Sequence, residues 1–194
     1  MTAFLHDPHP NPTPPERRAA LVADPQFGRV FTDHMVSVRY KEGQGWHDAR
    51  LMPRGPLTLD PATAVLHYAQ EIFEGLKAYK LDSGEMALFR ADANAARFNA
   101  SARRMAMAQL PEGLFVDACK ELIRADADWF PAAEGGSLYL RPFMYASEAF
   151  LGVKPSAEYH FLVIASPVGN YFKSGAPAVS LWVSEDFTRA APGG

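Results

Sequence analysis

The feature that most constrains this sequence is the length of its apolar runs, which are no longer than β-strands and are bounded by turn residues. Five segments have this character: Met35 to Tyr40, Leu76 to Leu81, Met86 to Phe89, Ser137 to Ala146 and His160 to Ala165. Valine alternates with polar residues in the first, as in a half-buried strand. Asp82-Ser83-Gly84 joins the second and third as a hairpin turn. The pattern predicts a largely antiparallel sheet.

Helical periodicity appears between the predicted strands. One helix is expected from Asp60-Pro61 to about Ile72, because aspartate can cap a helix and proline suits its first position. A second is capped by Asp92 and repeats apolar residues at Ala95, Phe98, Ala102 and Met105. A third is marked by Phe115, Ala118, Leu122 and Trp129. Helices combined with antiparallel strands predict the α+β class.

Four regions follow from these elements. Residues 1–26 contain the proline-rich run Asp7 to Pro15 and are expected to form an extended, mobile tail. Residues 27–166 form a small N-terminal α+β domain, 167–177 an interdomain loop, and 178–194 the start of a second, larger domain. A strand is expected at Ala178 to Ser184. Because one strand cannot bury its own face, we expect the chain to be truncated at Gly193-Gly194.

Composition and charge suggest neither a nucleic-acid surface nor a membrane span. The net charge is −3 with no basic run, which argues against a nucleic-acid partner. No apolar run approaches the roughly 20 residues of a membrane span. We see no secretory signal, and the single cysteine, Cys119, fits helical core packing, so a cytoplasmic protein is expected.

Two arginines stand out as anion-binding candidates. Walker, dinucleotide-binding, zinc-protease and paired-cysteine motifs are absent from the sequence, and its six histidines show no metal-ligand spacing. Arg90 follows a strand and precedes a helix, where it can meet a phosphate or remain an ordinary surface residue. Arg141 lies inside an apolar strand, where a charge is costly unless it is paired or faces a ligand. Because Pro142 follows it, the solvent face of an edge strand is the alternative.

Several segments, in order from about Phe27 to Gly194, resemble the branched-chain aminotransferases, a family of fold-type-IV enzymes that use pyridoxal 5'-phosphate (PLP). They are Phe31-Thr32-Asp33-His34-Met35, Leu66-His67-Tyr68, Phe73-Glu74-Gly75-Leu76-Lys77-Ala78-Tyr79, Leu88-Phe89-Arg90, Ser137-Leu138-Tyr139-Leu140-Arg141-Pro142, Leu151-Gly152-Val153, Pro167-Val168-Gly169-Asn170-Tyr171-Phe172 and Arg189-Ala190.

The resemblance implies a small N-terminal domain of a homodimeric transaminase. Such an enzyme moves the amino group of leucine, isoleucine or valine to 2-oxoglutarate through PLP. Arg90, and with less support Arg189, match cofactor-binding positions. Phe27, Phe73, Tyr139, Arg141 and Tyr171 match substrate-binding positions, with Arg141 on the distal carboxylate of glutamate. Tyr68, Leu151 and Val153 match residues that reach the partner subunit's pocket.

The chain departs from the family in one respect. The lysine that holds PLP as a Schiff base is expected just after Gly194, so we expect no catalytic residue and little activity in these residues alone. The lysines present do not match that position: Lys41, Lys77, Lys80, Lys120, Lys154 and Lys173. One alternative is another fold-type-IV enzyme, of the D-amino acid aminotransferase or aminodeoxychorismate lyase type. The other is a half-domain without catalytic activity.

Overall fold

One mixed sheet, with its two long helices on one face and a short helix on the other, accounts for most of the described chain. The computed structural model describes residues 2–26, 28–133, 135–169, 178 and 180–185. Its strands are β1 (Leu5–His6), β2 (His34–Lys41), β3 (Gly45–Pro53), β4 (Glu71–Phe73), β5 (Leu76–Lys80), β6 (Met86–Leu88), β7 (Ser137–Ala146) and β8 (Glu158–Val168). Its helices are α1 (Pro15–Ala23), α2 (Ala64–Tyr68), α3 (Ala91–Arg104) and α4 (Glu112–Ala125), followed by a 3₁₀ turn at Ala127–Trp129. The predicted α+β class is confirmed.

The antiparallel pair β7–β8 forms the centre of the sheet. Its register runs without a break from Ser137 opposite Val168 to Ala146 opposite Tyr159. The order across the sheet is β1-β3-β2-β8-β7-β5-β6, and β4 pairs with β7 beside β5. Among the described strands only β1 and β3 pair in parallel. Strands β7 and β8 are also the two longest strands, so they contribute more residues to both faces than any other pair.

The core face of the sheet packs against α3 and α4. Leu138 and Leu140 of β7 are fully buried there. Phe161 of β8 contacts Phe98 of α3 and Phe115 of α4, with ring centroids 5.6 and 6.1 Å away. Such aromatic clusters contribute beyond their buried area and hold the two helices in place.

Side chains that alternate with these core positions form the opposite surface, which we call the far face. On β7 it presents Tyr139, Arg141, Phe143 and Tyr145, because successive residues of a strand point to opposite sides. At the Tyr145 end the far face is covered by the loop before α2 and by α2 itself. At the Arg141 end an open pocket remains.

A buried chain of hydrogen bonds lies under the covered end. His160 Nε2 is 2.7 Å from Ser37 Oγ, and its Nδ1 is 3.0 Å from the Tyr145 hydroxyl. Burial, assisted by the positive charge of Arg39, lowers the pKa of His160 to about 4. His160 is therefore neutral near pH 7, with one ring nitrogen donating and the other accepting. The three side chains line a cavity of about 300 Å³.

The N-terminal segment is more regular than predicted. It contains β1 and α1, where the sequence analysis expected only an extended tail. Thr13 donates to Asp33 Oδ1 from its backbone N–H at 3.2 Å and its hydroxyl at 2.6 Å, and Arg18 donates to Asp128 at 2.8 Å. The expectation was wrong because Pro15 stands at the first position of α1, where proline is favoured rather than disruptive.

The prediction of a helix from Asp60 to Ile72 was also wrong. Only Ala64–Tyr68 is helical, and Ile72 lies in β4. Asp60 accepts a hydrogen bond from the backbone N–H of Ala62 at 2.7 Å, so it stabilises a turn instead of a helix start. Ala69 ends α2 in the left-handed region, with φ of 48°.

The start of α3 differs from the prediction as well. The N-cap is Arg90, with φ of 49°, and Asp92 lies in the first turn without a side-chain capping hydrogen bond. Asp92 still places a negative charge near the positive end of the helix dipole. The early turn leaves the Arg90 side chain exposed.

Three other expectations differ from the structure, while one core assignment was confirmed. Strand β3 was missed, and β8 extends two residues into the predicted interdomain loop. The described residues 178 and 180–184 are exposed and form no strand. A strand needs a neighbour to bond its backbone groups, and none reaches this segment in the described structure. Cys119 is fully buried, as expected, and burial raises its pKa.

Acid should weaken the fold through His160. The unfolded chain binds a proton at the ordinary histidine pKa of 6.5, but folded His160 does so only at about 4. Between these values the unfolded state binds more protons, so stability falls as pH falls. The wild-type protein should lose free energy of unfolding between pH 7 and pH 4.5. His160→Gln, which keeps a hydrogen-bond donor and an acceptor, should make that loss smaller by on the order of 2 kcal/mol.

Urea unfolding at several pH values measures this effect. His67→Gln is the matched control, because His67 is exposed and bonds only the Pro61 carbonyl. The assignment is wrong if His160→Gln and His67→Gln leave the same pH dependence.

Candidate active site

The Arg141 guanidinium is the centre of the candidate site. Its Nη2 donates to the Tyr139 hydroxyl at 2.7 Å, and its Cζ lies 4.4 Å from the Phe73 ring centroid. Among the described residues no carboxylate pairs with it. Strand alternation places Arg141 on the far face, and β4 brings Phe73 beside it through pairing with Phe143. The structure thus joins three of the five predicted substrate-binding residues.

Beside this guanidinium lies an open pocket of about 230 Å³. Its walls are mainly apolar and consist of Gly28, Phe31, Tyr139, Arg141, Ile164, Ala165 and Ser166. The Ser166 hydroxyl is occupied, because it donates to the Val30 carbonyl at 2.6 Å. The pocket can therefore hold an apolar chain along its wall and an anion at Arg141.

Gly75 packs against the group formed by Arg141, Tyr139 and Phe73, which we call the Arg141 cluster. The Tyr139 hydroxyl lies against the backbone of Gly75, where a Cβ would overlap the oxygen and lie 3.0 Å from Tyr139 Cζ. Sequence analysis singled out Tyr139 but gave Gly75 no role, since its neighbour comes from a different strand.

Glu74 and Arg97 form an ion pair that sequence analysis also missed. Glu74 is only 5% exposed, and Arg97 donates to its two oxygens at 2.5 and 2.7 Å. Asn94 adds a hydrogen bond at 2.9 Å. Burial alone would raise the pKa of Glu74, but these hydrogen bonds outweigh it and lower the pKa. The sequence signal that could have indicated this ion pair was a glutamate between Phe73 and Gly75, followed by an arginine on the next helix.

Arg90, the predicted phosphate ligand, lies at another edge. It follows β6, which is separated from β7 by β5. Its side chain is exposed, and the N-terminus of α3 begins at the next residue. A helix N-terminus favours anions. The location suits a phosphate, although Arg90 is not part of the Arg141 cluster.

The three residues predicted to reach a partner subunit lie together. The Tyr68 hydroxyl accepts a hydrogen bond from the backbone N–H of Gly152 at 2.7 Å, and its ring stacks on Phe150. Leu151 and Val153 are 72% and 99% exposed. Residues 151–153, which we call the 151–153 loop, therefore form an exposed apolar projection. Tyr68, which is distant in sequence, holds this loop in place.

Three predicted site residues, Phe27, Tyr171 and Arg189, lie outside the described residues. No lysine lines the Arg141 pocket within the described chain. In the described residues no group of histidine, cysteine or acidic side chains is placed to hold a metal ion. The described helices are all too short or too polar to cross a membrane.

Comparison with solved structures supports this fold. The branched-chain aminotransferase from thermophilic archaea Thermoproteus uzoniensis with norvaline aligns at a TM-score of 0.55, covering 72% of this chain and 43% of that one, at 21% identity. The branched-chain amino acid aminotransferase of Escherichia coli aligns at 0.53, covering 70% of this chain and 41% of that one, at 21% identity. At these identities the likeness concerns the fold alone.

Sequence comparison is more specific. No protein-family model matches the chain. A probable branched-chain-amino-acid aminotransferase of Streptomyces coelicolor is 57% identical over 188 residues, which are 96% of this chain and 52% of the relative. The branched-chain-amino-acid aminotransferase of Mycobacterium tuberculosis is 53% identical over 95% of this chain and 50% of its own length. The chain spans about half the length of these relatives, and over nearly the whole of its own length it is similar to branched-chain-amino-acid aminotransferases.

Proposed function

We propose that the protein carrying this chain is a branched-chain-amino-acid transaminase, which passes the amino group of leucine, isoleucine or valine to 2-oxoglutarate. The observation that carries the proposal is Arg141, a guanidinium fixed in an apolar pocket without a carboxylate partner among the described residues. The identity to named aminotransferases supports the same conclusion. The other fold-type-IV activities and the non-catalytic half-domain have no comparable support.

The pocket explains how two unlike substrates can use one site. A branched aliphatic side chain fits the apolar wall formed by Phe31 and Ile164. The second carboxylate of glutamate or 2-oxoglutarate can instead pair with Arg141 through two parallel hydrogen bonds. Phe73 and the Tyr139 hydroxyl keep the guanidinium in place for that pairing. We assign Phe27 and Tyr171 to the same pocket by resemblance.

The cofactor of this proposal is PLP, which supplies the electron sink that amino-group transfer requires. The described residues fit its phosphate, since Arg90 is exposed beside the N-terminus of α3. They offer no lysine at the Arg141 pocket, so we assign the covalent attachment to none of them. Arg97 is a competing phosphate ligand, because Glu74 holds it next to the segment that carries Phe73. Arg189 is assigned to the cofactor by resemblance only.

We further propose that the enzyme is a cytoplasmic homodimer, acting on small amino and keto acids without a nucleic-acid or membrane partner. The 151–153 loop supports a dimer, because an exposed apolar projection held by Tyr68 is suited to a neighbouring subunit. In a two-fold dimer each subunit can complete the pocket of the other.

Arg141→Met should separate the two half-reactions in the full natural protein that carries this chain. Leucine has no second carboxylate, so the leucine half-reaction should change little. The 2-oxoglutarate half-reaction should lose on the order of 2–5 kcal/mol of transition-state stabilisation. Single-turnover kinetics with each substrate provide the measurement. Arg124→Met is the control, since Arg124 lies on α4, pairs with Glu121 and does not line the Arg141 pocket. Equal losses in both half-reactions would mean that Arg141 is structural.

Arg90→Gln should weaken PLP binding by about 1.5–3 kcal/mol, the usual contribution of a hydrogen bond to a charged group. Retention of the visible PLP absorbance after dialysis measures this. Arg103→Gln, at the other end of α3, is the control, because Arg103 bonds only Gln109. If Arg97→Gln releases PLP while Arg90→Gln retains it, the phosphate assignment belongs to Arg97.

Val153→Asp should weaken dimerisation by about 2 kcal/mol, because the change buries a charge against apolar surface. Val153 is 99% exposed, so the fold of each subunit should be unaffected. Sedimentation across a dilution series gives the dissociation constant. Leu81→Asp is the control for an added charge at an exposed apolar residue away from the 151–153 loop. A Val153→Asp protein that dimerises as tightly as the control contradicts the proposed interface.

A further inference from the structure

We propose that Gly75 is a positioning residue for Arg141, because only a residue without a side chain leaves room for the Tyr139 hydroxyl that orients the guanidinium. This inference rests on the proposed function, since it concerns how the dicarboxylate substrate is recognised. It assigns to Gly75 an effect on substrate preference through Tyr139, not through contact with substrate.

Space, rather than backbone conformation, requires glycine at this position. Gly75 is not among the described glycines with positive φ, so an alanine could adopt its backbone conformation. An added Cβ would overlap the Tyr139 hydroxyl oxygen and lie 3.0 and 3.2 Å from Cζ and Cε2. Two carbons at 3.0 Å are well inside the 3.5–4.0 Å of optimal contact. Either the Tyr139 ring or the Gly75 backbone must therefore move.

The Gly75 backbone is held from two sides. The Glu74 N–H donates to the Pro142 carbonyl of β7 at 2.8 Å. The Glu74 carboxylate is held from α3 by Arg97 and Asn94. Residues 74–75 are thereby fastened to both the sheet and a core helix, whereas the Tyr139 hydroxyl is the far end of a side chain. The tyrosine ring is the part that moves.

Movement of that ring changes the Arg141 site directly. The Tyr139 hydroxyl accepts a hydrogen bond from Arg141 Nη2 at 2.7 Å, and the centroid of the Tyr139 ring lies 5.3 Å from Arg141 Cζ. A displaced hydroxyl leaves the guanidinium with Phe73 as its remaining support in the cluster. A less fixed guanidinium pays more ordering cost when it pairs with a carboxylate. An apolar substrate, which does not use Arg141, avoids that cost.

Gly75→Ala in the full natural protein that carries this chain tests the inference. The kcat/KM for 2-oxoglutarate should fall about 10-fold relative to that for 3-methyl-2-oxobutanoate, mainly through KM. Glutarate, which has both carboxylates but does not react, should bind about 10-fold more weakly by calorimetry. Gly113→Ala is the matched control, because a Cβ there meets no atom within 4 Å.

A double-mutant cycle distinguishes positioning from general damage. In a Tyr139→Phe background the hydroxyl is already absent, so Gly75→Ala should add little further loss of preference for 2-oxoglutarate. A full additional loss in that background, or equal losses for both keto acids, overturns the inference while the proposed function stands. A wild-type protein that binds no glutarate overturns both. Wild-type glutarate binding without amino transfer defeats the proposed function alone, and the calorimetric comparison still decides the role of Gly75.

Discussion

The strict alternation of β7 between two faces is the constraint on which the rest of the structure depends. Leu138 and Leu140 fill the core, and Tyr139 and Arg141, which alternate with them, face the pocket. A slip of one residue against β8 would exchange the faces and bury a guanidinium in the core. The aromatic contacts of Phe161 with α3 and α4 therefore help to hold the strand register that places Arg141 at its pocket.

The allocation of charge around the pocket follows from the same geometry. Glu74 is a buried carboxylate one residue from Phe73, so it could have neutralised the pocket arginine. Instead its oxygens are engaged by Arg97 and Asn94 on α3. Arg141 is left with a hydroxyl and two rings, which hold a cation without cancelling its charge. Glu74 is thus paired with Arg97, and Arg141 keeps its charge for a ligand.

Local sequence patterns were sufficient to predict the strands and helices whose apolar residues recur with a clear period. The strands corresponding to β2, β5, β6, β7 and β8, and the helices α3 and α4, were all predicted from apolar spacing. Arg141 was singled out as an anion-binding candidate because a charge inside an apolar strand is costly unless it is paired or faces a ligand. Pro142 suggested an edge strand, yet β7 is central. Opposite Pro142 the neighbouring strand changes from β4 to β5, so the missing N–H breaks no ladder, and the Pro142 carbonyl bonds the Glu74 N–H.

What sequence could not supply was the meeting of distant residues. The closeness of Gly75 to Tyr139, the pairing of Glu74 with Arg97 and the bond from Gly152 to Tyr68 each join separate elements. No local period records such contacts. The same limit explains α1 and β3, since α1 has no buried residue and β3 only Leu51, so neither shows a strong apolar pattern.

The sheet order also has a consequence for how the chain reaches this state during synthesis. Strand β2 pairs on one side with β3, its immediate neighbour in sequence, and on the other with β8, near the end of the described domain. The β2–β3 hairpin can form early, but one edge of β2 has no partner until Val163 has left the ribosome. Pairings of such long range close slowly. During that interval the nascent hairpin presents an unpaired edge, a vulnerable surface for association with other chains.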